Sequence, residues 1–90
     1  MHVCYKLLIS GKVQGVNFRY NTLQKALHLH VHGWVKNTMD GKVEIHAEGD
    51  STAVNQLIAW CKHGPPAANV MDVAIEKTQP ENYTDFTIRR

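Results

Sequence analysis

Val31-His32-Gly33-Trp34-Val35-Lys36-Asn37-Thr38-Met39-Asp40-Gly41-Lys42-Val43-Glu44-Ile45-His46-Ala47-Glu48 contains two alternating runs joined by a turn. Val31, Gly33, Val35 and Asn37 share one parity. On the return, Val43, Ile45 and Ala47 alternate with Lys42, Glu44, His46 and Glu48. An extended chain turns successive side chains to opposite faces, so period two in both runs predicts two half-buried strands. Asp40-Gly41 suits the left-handed positions of a tight turn and closes the pair as a hairpin.

The flanking segments have a different period. Upstream, Phe18, Thr22, Ala26 and Leu29, with Leu23 and Leu27, recur at helical spacing and predict a helix from Phe18 to Leu29. Before it, Val3, Tyr5, Leu7 and Ile9 alternate with Cys4, Lys6, Leu8 and Ser10, the pattern of a strand. Downstream, Ser51 is expected to cap a second helix with Val54, Leu57, Ile58 and Cys61 on its apolar stripe, ended by Gly64-Pro65-Pro66. Val70 to Ile75 is expected to form a fourth strand, and Phe86 to Ile88 a short last one. The order β-α-β-β-α-β predicts an α+β, ferredoxin-like sandwich: an antiparallel sheet with two helices on one face and a short extra C-terminal strand. That fold hosts many unrelated activities, so function must come from particular residues.

Composition narrows the classes. Ninety residues make one domain, 1–90. Hydrophobic residues are 43% and charged residues 20%, the balance of a soluble globular chain. No apolar run approaches the roughly 20 residues that span a bilayer. Met1-His2-Val3-Cys4-Tyr5-Lys6 is no secretory signal, so a cytoplasmic location and no membrane partner are expected. The formal charge of +2 comes from interspersed signs, which predicts no nucleic-acid partner. An RNA-binding sheet needs aromatics on its central strands, and Lys42 to Ala47 supplies none. A monomer is expected.

Cys4 and Cys61 fall on opposite sides of the predicted sheet and cannot meet the short Cα separation of a disulfide, so both are expected as free thiols. His28, His30 and His32 would share a face if extended. The helix-to-strand transition lies inside that run and no cysteine or carboxylate is adjacent, so surface histidines and no metal are expected. Trp34 has outward parity and is expected over a helix end; Trp60 is expected at the edge of the core.

The chemistry is concentrated in Gly11-Lys12-Val13-Gln14-Gly15-Val16-Asn17-Phe18-Arg19, between a strand and a helix. Glycines there let consecutive N–H groups point into one concavity, an anion nest, and the helix N-terminus adds free donors. Arg19 stands in the first helical turn, where the dipole disfavours a cation but a guanidinium fork can reach phosphate oxygens. By these residues alone the segment is either a phosphate cradle or a glycine-containing turn with a solvated arginine. Asn37 is either a site residue or the residue that initiates the turn.

Two motifs choose between these. Gly11-x-Val13-Gln14-Gly15-Val16-x-Phe18-Arg19 resembles the signature of the acylphosphatase family, and Gly33-Trp34-Val35-x-Asn37-x-x-Asp40-Gly41-x-Val43-Glu44 resembles that family's second signature. Gly49, Trp60, Gly64-Pro65 and Phe86-x-Ile88-Arg89 also match, so the resemblance covers nearly the whole chain. It implies hydrolysis of the carboxyl–phosphate bond of a small-molecule acyl phosphate, with no cofactor. It implies that Arg19 binds phosphate, that backbone N–H groups of Gln14, Gly15, Val16, Asn17 and Phe18 complete the substrate-binding cradle, and that Asn37 positions the attacking water. The chain departs from the pattern at His30, where the family usually has a glycine in a left-handed terminating conformation. The alternative is a non-catalytic ferredoxin-like module that binds phosphate or another ligand; Asn37 argues against it.

Overall fold

The computed structural model describes residues 1–90. In chain order the elements are β1 (His2–Lys12), α1 (Phe18–Leu29), β2 (His32–Asn37), β3 (Val43–Asp50), α2 (Ser51–Cys61), β4 (Asn69–Lys77) and β5 (Phe86–Arg89). They form the expected ferredoxin-like α+β fold, with sheet order β4-β1-β3-β2-β5.

β1 pairs antiparallel with β3 (Leu7 opposite Ile45) and with β4 (Leu7 opposite Ile75), and β2 pairs antiparallel with β3 (Val35 opposite Ile45). The expectation of a wholly antiparallel sheet is corrected at one edge. β5 runs parallel to β2, with Val35 opposite Ile88, so the sheet is mixed. Connectivity explains this. Residues 78–85 carry the chain from β4 at one edge to the opposite edge without changing ends of the sheet, so β5 points against β4 and along β2.

The period-two residues meet the helices as their parity predicts. Leu7, Ile9, Val35, Val43 and Ile45 are fully buried against Phe18, Ala26, Val54, Leu57 and Cys61, and Phe86 of β5 joins the same cluster. Burial of this apolar area supplies the main drive for folding, at about 25 cal/mol per Å². Trp60 packs on Phe18 with ring centroids 5.5 Å apart, at the core's edge as expected.

The helix ends are less uniform. Ser51 is not the cap of α2. Asp50, one residue earlier and already extended, accepts the Thr52 N–H at 3.1 Å, and Ser51 is the first helical residue. Asp50 also lies 3.2 Å from the amino terminus of Met1. That hydrogen bond, with the Thr52 N–H, holds its carboxyl below the usual range. α1 ends on His30 at φ 59°, ψ 36°, the left-handed conformation expected of a glycine there. The N–H groups of His30 and Val31 donate to the Leu27 and Ala26 carbonyls, the pattern of a Schellman motif.

Cys4 and Cys61 are buried free thiols on opposite sides of the sheet. Burial pushes Cys61 up to about 12. His28, His30 and His32 do not converge: the first is on α1, the second caps it, and His32 Nδ1 lies 3.1 Å from the Tyr83 carbonyl. Trp34 faces outward from the sheet, but not over a helix end. It is 6% exposed, stacked on His46 with centroids 4.1 Å apart and overlaid by Arg89 at 4.6 Å.

Candidate active site

The segment between β1 and α1 is bent into a cradle by residues that tolerate unusual backbone. β1 carries a register shift between Ser10 and Gly11. Gly11 sits at φ 124°, where a Cβ would approach the Asn69 carbonyl oxygen to 2.2 Å. Only glycine fits, and pairing with β4 continues past the irregularity to Lys12, where β1 ends. Gly15 at φ 72° and Asn17 at φ 63° are both left-handed, and asparagine is among the side chains that accept this best. Asn17 precedes α1 without capping it through its side chain; its carbonyl accepts the Asn21 N–H and side-chain amide. The first donors of α1 therefore remain free at the mouth of the loop.

Arg19 is the second residue of α1, and Asn37 is the last residue of β2, on the helix-facing parity of Val35. One open concavity is lined by both, together with Gly15, Asn17, Phe18, Val13, Tyr20, Ile88 and Arg90. Its only charged side chains are Arg19 and Arg90, and none of the ion pairs in the structure involves Arg19. The Arg19 guanidinium beside a helix N-terminus, with no acidic side chain in the lining, makes a site for an anion, and Arg90 stands at its rim. Asn37 Oδ1 is the one buried side-chain nitrogen or oxygen in the molecule with no hydrogen-bond partner. Buried polar atoms are nearly always paired, so an acceptor left without a partner in a residue that lines the concavity is unusual.

The structure thus brings together Arg19, Asn37, Gly15, Asn17 and Phe18 of the expected set. Gln14 and Val16 do not line the concavity. Gln14 turns its side chain to the β2–β3 turn, where Nε2 donates to the Thr38 and Lys42 carbonyls at 2.9 and 2.8 Å. Val16 is packed into the core. Sequence reasoning missed Val13, Tyr20, Ile88 and Arg90. Ile88 and Arg90 could be found only by knowing that β5 lies beside β2, which no local pattern states.

A family model described as Acylphosphatase matches residues 5–88. The chain belongs to the acylphosphatase family. An acylphosphatase of Acaryochloris marina is 49% identical over 88 residues, spanning 98% of this chain and 95% of the relative. Among solved structures, an acylphosphatase from Coxiella burnetii superposes with a TM-score of 0.94 at 42% identity, covering 98% of this chain and 93% of that one. The acylphosphatase from Bacillus subtilis gives 0.95 at 36% identity over the full length of both.

Proposed function

We propose that this acylphosphatase hydrolyses acyl phosphates through the concavity between the β1–α1 loop and β2. Arg19 and the N–H groups of Gly15, Asn17 and Phe18, which line the concavity, hold the phosphoryl oxygens; Gln14 and Val16 support the loop from behind. Asn37 holds the attacking water in line with the bond to be broken. The observation that carries this reading is that Asn37 lines the same concavity as Arg19, whose guanidinium has no ion-pair partner.

The chemistry needs little more. Water oxygen attacks phosphorus, the bond from phosphorus to the acyl oxygen breaks, and a carboxylate leaves. A carboxylate is a good leaving group, so no strong general acid is required. No Asp, Glu, His, Cys or Lys lines the concavity, and the water's proton goes to a phosphoryl oxygen. Catalysis is then positioning plus stabilisation of charge on the phosphoryl group. Because the donors are N–H groups and a guanidinium, turnover needs no metal in this reading. The substrate is a small molecule rather than nucleic acid, and the protein works as a monomer in the cytoplasm.

The two roles separate kinetically. Assays run in the presence of a chelator should show full activity in the parent protein. Arg19→Gln should abolish turnover and weaken competitive inhibition by inorganic phosphate. Asn37→Ala should lower kcat on the order of 10²-fold, as the loss of one positioned polar group does elsewhere. Its phosphate inhibition constant should stay near that of the parent. A folded Asn37→Ala protein with normal turnover, or with phosphate affinity as poor as Arg19→Gln, would show that the water is held elsewhere.

A further inference from the structure

The face of the sheet away from the helices holds a buried carboxylate with no part in the chemistry above. Glu48, on β3, is 1% exposed. It accepts the backbone N–H groups of Glu81, Asn82 and Tyr83, each at 3.2 Å, and His2 Nε2 lies 2.6 Å away. Three successive N–H groups converging on one anion form a nest, and Asn82 takes the left-handed conformation, φ 59°, that shapes it.

This nest belongs to residues 78–85, which strap the open face between β4 and β5. The strap is fixed along its course. Thr78 N–H donates to the Cys4 carbonyl at 2.9 Å, and Trp34 Nε1 donates to the Tyr83 hydroxyl at 3.2 Å. At its far end the Asp85 carbonyl accepts the Gly33 N–H at 2.8 Å, setting β5 against β2. β5 then delivers Ile88, and the residue after β5 is Arg90; both line the concavity on the other face. Ile88 is 39% exposed at its rim.

We propose that Glu48 is a positioning residue for the acyl phosphate site: it fills the nest at 81–83, the nest holds the strap, and the strap fixes β5 and hence Ile88 and Arg90 at the rim. This rests on the function proposed above. The cradle holds the phosphoryl group and the β5 rim meets the acyl side, so loosening the rim acts on one part of the substrate and not the other.

The test is Glu48→Gln, which keeps the shape but replaces one accepting oxygen by a donor facing N–H groups. KM for benzoyl phosphate should rise about five-fold, a loosening short of the roughly ten-fold or more that full loss of one methylene contact costs. The inhibition constant of inorganic phosphate, held by the cradle alone, should move less than about two-fold. Hydrogen exchange at the amides of Thr87 and Arg89, which the parallel register turns toward β2, should accelerate while that of the β1–β3 pairs stays as in the parent. Tyr83→Phe, which removes a strap anchor without touching a buried charge, should shift the same readouts the same way by less, and serves if Glu48→Gln does not fold. Unchanged β5 exchange, or a phosphate constant that worsens in step with KM, would overturn the proposal. Absence of turnover in the parent protein would instead sink the functional reading, and exchange at β5 would still decide whether Glu48 holds the strap.

Discussion

At φ 59° and ψ 36°, His30 occupies a conformation that crowds its Cβ against its own backbone, and it does so because the Schellman hydrogen bonds of α1 demand a left-handed residue there. His30→Gly should therefore stabilise the protein by about 1 kcal/mol, the relief of strain being partly offset by the greater freedom of glycine in the unfolded chain. A higher urea midpoint at unchanged slope would show it; an equal midpoint would mean that the histidine side chain makes up the difference. This residue was legible from the departure of one position from a family pattern. Arg19 was legible for a related reason, a cation at the wrong end of a helix. Glu48 was not. Its alternation with Ala47 marks it only as an outward polar residue, and its partners are main-chain N–H groups more than thirty positions away, which no side-chain pattern records.

Between elements, the contact that matters most for the site is the bridge from the β1–α1 loop to the β2–β3 turn. Gln14 Nε2 spans it with two hydrogen bonds, so the loop that forms the cradle and the strand that ends in Asn37 move as one piece. Gln14→Leu keeps the volume and deletes both bonds. The Lys42 carbonyl still accepts the Thr38 N–H and the Thr38 carbonyl the Gly41 N–H, so neither is left bare, and the cost in stability should be only about 1–2 kcal/mol. The effect on rate should be larger, a fall in kcat on the order of 10-fold, because a water held slightly out of line loses much of its reactivity. A Gln14→Leu protein with parental kcat would show that Asn37 needs no such tether. The period-two and helical patterns made β1 to β4 and both helices legible, since each buries a face of its own. The cap at Asp50 was obscure because Asp50 and Ser51 are adjacent and both are good capping residues, so the pattern alone does not choose between them; the parallel pairing of β5 was obscure because it depends on the route of residues 78–85.

On the scale of the whole molecule, the helix side of the sheet is held by apolar contacts and the open side by polar ones, and the two should respond differently to acid. Burial acts to raise the Glu48 pKa, but His2 and the three N–H groups of the nest outweigh it and leave the carboxyl below its ordinary value of 4.5. A carboxylate whose pKa is lower in the folded chain stabilises it above the unfolded value, and that stabilisation is lost as pH falls through the folded value. Protonation would also place an O–H donor among donors. The parent protein should therefore hold a higher urea midpoint than Glu48→Gln near pH 7. The gap should close progressively as the pH falls below 4.5. Asp40 and Asp50, also held below their ordinary values, are present in both proteins and cancel in the comparison. A gap that persists unchanged in acid would mean that glutamine fails at position 48 through its shape, and that the strap is held by packing around Trp34 and Tyr83 rather than by charge in the nest.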